Sequence, residues 1–114
     1  MYDRYYSFKG YPDWDLPERW KNPPAEFDLT TPLNFVSTAD IIGGNSGSPL
    51  VNKNLEVVGL AFDGNIESLP GNFIFDDTKN RTVAVHTAGM TEAMEDIYKA
   101  TRIVNELLNG KIVE

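Results

Sequence analysis

The chain has 114 residues, 41% of them hydrophobic and 24% charged, with a formal net charge of −7 and no cysteine. That length is one domain's worth and can bury a core without cross-links, while the absent cysteine excludes disulfides, thiol nucleophiles and thiolate metal sites. The acidic balance argues against nucleic acid, whose phosphates need clustered Lys and Arg, and no apolar run approaches the roughly 20 residues that cross a bilayer.

Residues 1–30 form an aromatic, proline-rich lead-in. Tyr2, Tyr5, Tyr6, Phe8, Tyr11, Trp14, Trp20 and Phe27 share it with Pro12, Pro17, Pro23 and Pro24. Prolines this dense forbid a long helix or a central strand. An irregular segment is expected, whose aromatics must pack on something. Pro17 suits the start of one short helical turn over Asp15–Trp20. Met1-Tyr2-Asp3-Arg4-Tyr5 is not expected to act as a signal peptide, because no apolar stretch follows it.

Residues 31–86 carry β patterning. Leu33–Thr38 is rich in strand formers, Gly43–Gly47 is a turn, and Ser48–Asn52 reads as a short strand. Lys53-Asn54-Leu55 fits a hairpin loop. Glu56–Phe62 is almost wholly apolar, so a strand buried on both faces is expected, ended by Asp63-Gly64-Asn65. Residues 66–80 read as a surface loop with a short strand at Asn72–Phe75, and Arg81–His86 as the last strand.

Residues 87–114 read as a helix and tail. Met94, Ile97, Tyr98, Thr101, Val104 and Leu108 recur at spacings of three and four, which makes one apolar stripe. Thr91 suits the N-cap, Glu95 and Lys99 a four-apart ion pair, and Asn109-Gly110 the stop. The fold class is therefore mostly β with a C-terminal α-helix.

Chemistry concentrates in Gly43-Gly44-Asn45-Ser46-Gly47-Ser48-Pro49. A serine hydroxyl needs a base to take its proton and donors aimed at the oxyanion formed on attack. Glycines allow a tight turn that points successive N–H groups into one small volume. The N–H groups of Gly44 and Ser46 are the expected donors. Taken alone, these residues suit an inert surface turn equally well. The run does not fit the Gly-x-Ser-x-Gly elbow, since Ser48 replaces the second glycine and strand follows. It also lacks the lysine of a phosphate loop, and no His/Glu ligand cluster occurs. No metal or other cofactor is expected.

The flanks add to this. The run resembles the Gly-Asp-Ser-Gly-Gly-Pro motif of trypsin-like serine peptidases, with Asn45 and Ser48 as departures. A closer resemblance is to the S46 family, the bacterial dipeptidyl peptidases 7 and 11. It is carried by Thr31–Thr38, Asp40–Pro49, Gly59–Asn65 and Arg81–Val85. The resemblance implies the second half of a trypsin-like double β-barrel, with a helical domain covering the cleft. It implies release of dipeptides from peptides with a free N-terminus, by a protein periplasmic or secreted in a bacterium. It assigns Ser46 as nucleophile and places Phe62, Asp63 and Gly64 beside the first substrate pocket. In that family the position of Gly64 separates two classes, glycine leaving room for apolar side chains and arginine selecting acidic ones. Asp40 stands where enzymes that cleave after Lys or Arg keep their pocket Asp, yet here a turn-stabilising role is expected.

The triad is incomplete. No histidine precedes Ser46, and His86, the single histidine, comes 40 residues after it on the last strand, where an ordinary packed residue is expected. The fold implied needs a His and an Asp upstream of the serine. The chain is accordingly expected to be a fragment, inactive alone, that lacks the N-terminal barrel and the helical cap. Apolar surface meant for those parts invites self-association. Two alternatives remain open on the sequence: a non-catalytic β binding module (a pseudo-peptidase), and half of a trypsin-like endopeptidase.

Overall fold

The computed structural model describes residues 1–113. In chain order the elements are α1 (Tyr2–Ser7), a 3₁₀ turn (Pro12–Trp14), α2 (Glu18–Lys21), β1 (Asn34–Ser37), β2 (Pro49–Val51) and β3 (Val57–Gly64). A 3₁₀ stretch (Ile66–Asn72), β4 (Thr82–His86), α3 (Thr87–Glu92), a π turn (Ala93–Ile97) and α4 (Thr101–Asn109) follow. They gather into two compact units, Leu29–Glu92 and Met1–Asp28 with the segment from Ala93 onward.

The Leu29–Glu92 unit is an antiparallel four-stranded sheet of order β1-β4-β3-β2. Its dry face is made of small residues. Ala61 lies opposite Ala84, Gly59 opposite His86 and Gly64 opposite Thr82. Ala61, Ala84 and Thr82 are buried, and Phe35, opposite Ala84, lies over Gly59. A Cβ at Gly59 would stand 2.5 Å from Phe35 Cε1, so only glycine lets that ring close on the strand. Buried Thr82 donates its hydroxyl to Ala39 O at 2.6 Å, which ties β4 to the chain ahead of the serine turn.

Burial of β3 on both faces is not what is found. Val58 and Leu60 on the opposite face are only partly buried, and Val57 and Phe62 are half exposed, so the Gly59–Ala61 face alone is dry. The expected strand at Asn72–Phe75 is absent too. Phe73 N–H and Ile74 N–H both donate back to Pro70 O, which spends them in a turn instead of a ladder.

The hairpin loop is organised by Asn52. Its Oδ1 accepts from Asn54 N–H at 2.8 Å and Glu56 N–H at 3.1 Å, with Leu55 in the left-handed region at φ +65°.

In the other unit the lead-in aromatics find their partners. Trp20 packs edge-on against Phe27 at 5.9 Å and Tyr98 at 6.1 Å, and its Nε1–H donates to the Tyr98 hydroxyl at 3.1 Å. Phe8 stacks on Trp14 at 5.2 Å beneath the Arg4 guanidinium. Pro17 does precede a helical turn, α2.

The C-terminal stripe is not one helix. Helix starts at Thr87, and Thr91 lies inside α3 with its hydroxyl bonded to Thr87 O instead of acting as N-cap. Tyr98 N–H reaches Ala93 O and Ala100 N–H reaches Met94 O, wide loops that end at Lys99 with φ +53°. Lys99 turns from Glu95 to Glu26, at 3.0 Å. The Gly110 stop is found, with φ +62° and its N–H on Glu106 O. Among the described residues no helix is long and apolar enough to cross a membrane.

Candidate active site

The serine turn is clamped from inside and from the sheet. Asn45 Oδ1 accepts from Ile42 N–H at 2.8 Å, while Asn45 N–H donates to Ile42 O at 3.1 Å. Gly47 N–H donates to Ala61 O at 2.7 Å and Ala61 N–H to Ser48 O at 2.9 Å, so the turn rides on β3. Gly44 at φ +102° and Gly47 at φ +86° occupy backbone that side chains avoid, which explains the glycines on either side of Asn45-Ser46. Ser48 N–H returns to Asn45 O. Among the described residues, the N–H groups of Gly44 and Ser46 donate to no protein acceptor, and Ser46 is exposed.

A bulge brings the second group of residues to the serine. Ala61 pairs with Ala84 and Asp63 with Val83, so Phe62 is the extra residue. Bulges bend a strand and re-aim its side chains, commonly beside active sites. Here both Phe62 and Asp63 emerge from the sheet. Asp63 Oδ1 accepts the N–H of Gly64 at 2.8 Å, which holds the carboxylate close to the strand.

A cleft of about 240 Å³ results, lined by Ser46, Phe62, Asp63 and Gly64 together. Ile41, Ile42 and Gly43 form one side. Asn65 and the 3₁₀ stretch, through Ser68, Leu69 and Asn72, form another. Asp63 is the only charged side chain in this lining. Gly44 is not part of it. The space at Gly64 is narrower than a missing side chain suggests, for a Cβ there would stand 3.2 Å from Ser68 Cβ.

Residues 1–109 match the family described as Peptidase S46. The chain belongs to the S46 peptidase family. Dipeptidyl-peptidase 7 of Capnocytophaga gingivalis is 42% identical over 80 residues, 70% of this chain and 11% of that relative. An Asp/Glu-specific dipeptidyl-peptidase of Shewanella putrefaciens is 38% identical over 84 residues, 74% of this chain and 11% of its own length. The crystal structure of Porphyromonas endodontalis DPP11 in alternate conformation matches at TM-score 0.63 and 28% identity, over 67% of this chain and 12% of that one. This S46 chain therefore spans about a tenth of the length of the curated relatives it matches.

His86 sits elsewhere in the sheet. Its N–H donates to Leu33 O at 2.8 Å, its Nδ1 accepts from Ala88 N–H at 3.0 Å, and its ring meets Phe35 edge-on at 5.5 Å. It starts α3 and supports the small-residue face. Asp40 is exposed and makes no hydrogen bond among the described residues, and Asn45 holds the turn in its place. Sequence reasoning missed Asn45 as the clamp, and Ser68, Leu69 and Asn72 as cleft residues. An Asx-type turn would bond forward to the backbone two residues on, whereas Asn45 reaches back to Ile42, so its residue type alone did not signal this bond. The other three lie in the stretch read as a surface loop, with Asn72 at the start of the short strand expected there.

Proposed function

We infer that this chain is the nucleophile-bearing part of a serine-type dipeptidyl peptidase of the S46 family. The observation that carries the reading is the cleft, which joins Ser46 to Phe62, Asp63 and Gly64, with Ser46 on a turn whose Gly44 and Ser46 N–H groups have no protein acceptor among the described residues. Ser46 Oγ attacks the carbonyl carbon of the substrate's second peptide bond as a base takes its proton. The Gly44 and Ser46 N–H groups receive the oxyanion. Collapse breaks the C–N bond, the base returns its proton to the leaving amine, and water then hydrolyses the acyl-serine to free a dipeptide.

The base and its orienting carboxylate come from parts outside these residues. His86 is engaged with Ala88 N–H through Nδ1, which supports that reading. Those parts are the first barrel of a trypsin-like pair and a helical cap, the sheet seen here belonging to the second barrel. Asp63, the one charged group of the cleft lining, offers a counter-charge to a free peptide ammonium and none to an acidic side chain. With Ile41, Ile42 and Leu69 around it, the pocket favours apolar P1 residues. The site of action is periplasmic or extracellular.

The exposed apolar residues of α4, Ile103, Leu107 and Leu108, also favour self-association of the isolated chain.

The test is dipeptide release from chromogenic dipeptidyl substrates. In the intact peptidase, Ser46→Ala abolishes release and a fluorophosphonate labels Ser46. The isolated chain releases nothing. Activity that survives Ser46→Ala would sink the nucleophile assignment, and Ser46-dependent release by the isolated chain would sink the fragment reading.

A further inference from the structure

Asn65 follows β3 directly, and its bonds reach three stretches of chain. Its N–H donates to Arg81 O at 3.0 Å, and its carbonyl accepts from Ser68 N–H at 3.0 Å. Its side-chain Oδ1 accepts both the Ser68 hydroxyl at 2.5 Å and Arg81 N–H at 2.9 Å. Its Nδ2 donates to Lys79 O at 2.8 Å. A backbone donor on one side and a backbone acceptor on the other leave only one orientation for the amide. Asn65 thus staples the end of β3 to the 3₁₀ stretch and to the chain entering β4. The 3₁₀ stretch is otherwise thinly held, with Ile66 and Leu69 both largely exposed. Yet this stretch gives the cleft Ser68, Leu69 and Asn72, across from Ser46 and Phe62.

Ser68 is also the residue that leans on Gly64. A side chain at Gly64 would meet Ser68 Cβ at 3.2 Å and Oγ at 3.4 Å, tighter than ordinary packing. The missing Cβ at Gly64 therefore makes room for Ser68 as well as for substrate, and Asn65 fixes where Ser68 stands.

We propose that Asn65 is a positioning residue which, through Ser68, sets the wall of the pocket beside the scissile bond. Gly64 and Ser68 together, not Gly64 alone, then limit the size of the P1 side chain. Both Oδ1 contacts of Asn65 are to the protein, so it acts through the wall. The inference rests on the reading of Ser46 as the nucleophile of this cleft.

The test uses the intact peptidase and two dipeptidyl nitroanilides that differ only at P1, alanine against phenylalanine. Freed from Asn65, the wall recedes. Asn65→Ala is expected to raise the phenylalanine-over-alanine ratio of kcat/KM about tenfold, mostly through KM. Ser68→Ala keeps the Cβ against Gly64 and loses only the hydroxyl grip, so it shifts the ratio in the same direction by about threefold. Asn65→Asp keeps the acceptor for Ser68 and Arg81 but sets a carboxylate oxygen against Lys79 O, so it is expected to restore the ratio only in part, to between that of Asn65→Ala and the original. Equal losses on both substrates, with the ratio within twofold of the unsubstituted protein, would overturn the proposal. If Asn65→Ala does not fold, Ser68→Ala decides alone, and an unchanged ratio there overturns it. Fluorophosphonate labelling separates the two levels. No labelling of Ser46 refutes the peptidase reading, whereas labelling with unchanged ratios refutes only the role of Asn65.

Discussion

Asn45→Ala tests whether the serine turn is held by its own side chain. The substitution removes the 2.8 Å bond from Ile42 N–H to Asn45 Oδ1, while Asn45 N–H can still reach Ile42 O. A neutral bond of this kind contributes about 0.5–1.5 kcal/mol net. Gly44 and Gly47, both at positive φ, have little conformational preference to oppose the loosening. If the turn closes less often by that free energy, the productive geometry is populated roughly two- to twelve-fold less. That bounds the loss in turnover near tenfold, well short of the about 10²–10³ lost when an oxyanion donor is deleted, because the Gly44 and Ser46 N–H groups proposed for that role are still present. The assay is dipeptide release by the intact peptidase, with the rate of fluorophosphonate labelling as a second measure. Asn45→Asp keeps an acceptor for Ile42 N–H and is expected to lose less. A rate for Asn45→Ala within twofold of the unsubstituted protein would refute the clamp. A loss beyond a thousandfold would mean that Asn45 takes part in the chemistry itself.

Three further outcomes follow from particular residues. Gly59→Ala places a Cβ 2.5 Å from Phe35 Cε1 and 2.6 Å from Val85 O, the second a backbone atom of the paired strand. It should cost about 3 kcal/mol in denaturant unfolding, and a cost below about 1 kcal/mol would show that the sheet yields. Leu55→Gly relieves a left-handed leucine at φ +65° and 86% exposure, so thermal unfolding should show a gain of about 0.5–1 kcal/mol and not a loss. The Glu26 carboxyl is held below the ordinary glutamate value by a backbone hydrogen bond and then by the Lys99 ammonium. A lowered folded value gives stabilisation that is complete above the ordinary range and is lost as pH falls through the lower one. Trp20 fluorescence, reporting on the cluster with Tyr98 beside Lys99, should stay flat down to that range and change only below it. Glu26→Gln should remove the step.

The sheet was legible because its strands carry their own signals. Leu33–Thr38, Glu56–Phe62 and Arg81–His86 are β-rich runs bounded by turn residues, and each contains or overlaps a strand of the sheet. The serine turn was legible because glycines at positive φ are hard to replace. The bulge at Phe62 was not legible, since an uninterrupted apolar run looks the same with or without an extra residue, and the slip shows only in the pairing with β4. The helix failed for a long-range reason. The stripe from Met94 to Leu108 keeps its spacing, but Lys99 leaves the helical region and its ammonium meets Glu26, distant in sequence. Local periodicity cannot register a partner that far away. The cleft was legible in half: Ser46 and Phe62–Gly64 came from motif, whereas Ser68, Leu69 and Asn72 enter it from the 3₁₀ stretch, which Asn65 holds through Ser68.

The same economy of side chains recurs at the corners of the sheet unit. Asn45 closes the serine turn, Asn52 the hairpin, Asn65 the exit from β3 and His86 the start of α3, each through a short polar side chain bonded to backbone. This follows from the dry face, which is made of Gly59, Ala61, Thr82 and Ala84. Small residues let strands and the Phe35 ring approach closely, but they bury little apolar area, so packing alone fixes the turns weakly. Polar bonds then set the loop geometry. At the same time Val36, Val51 and Val57 are each half exposed or more. Apolar strand surface of that kind is what a sheet presents when further layers belong over it. With little packed core behind them, the loops of this unit hold their shape through side-chain clamps, Asn45 on the serine turn and Asn65 on the exit from β3.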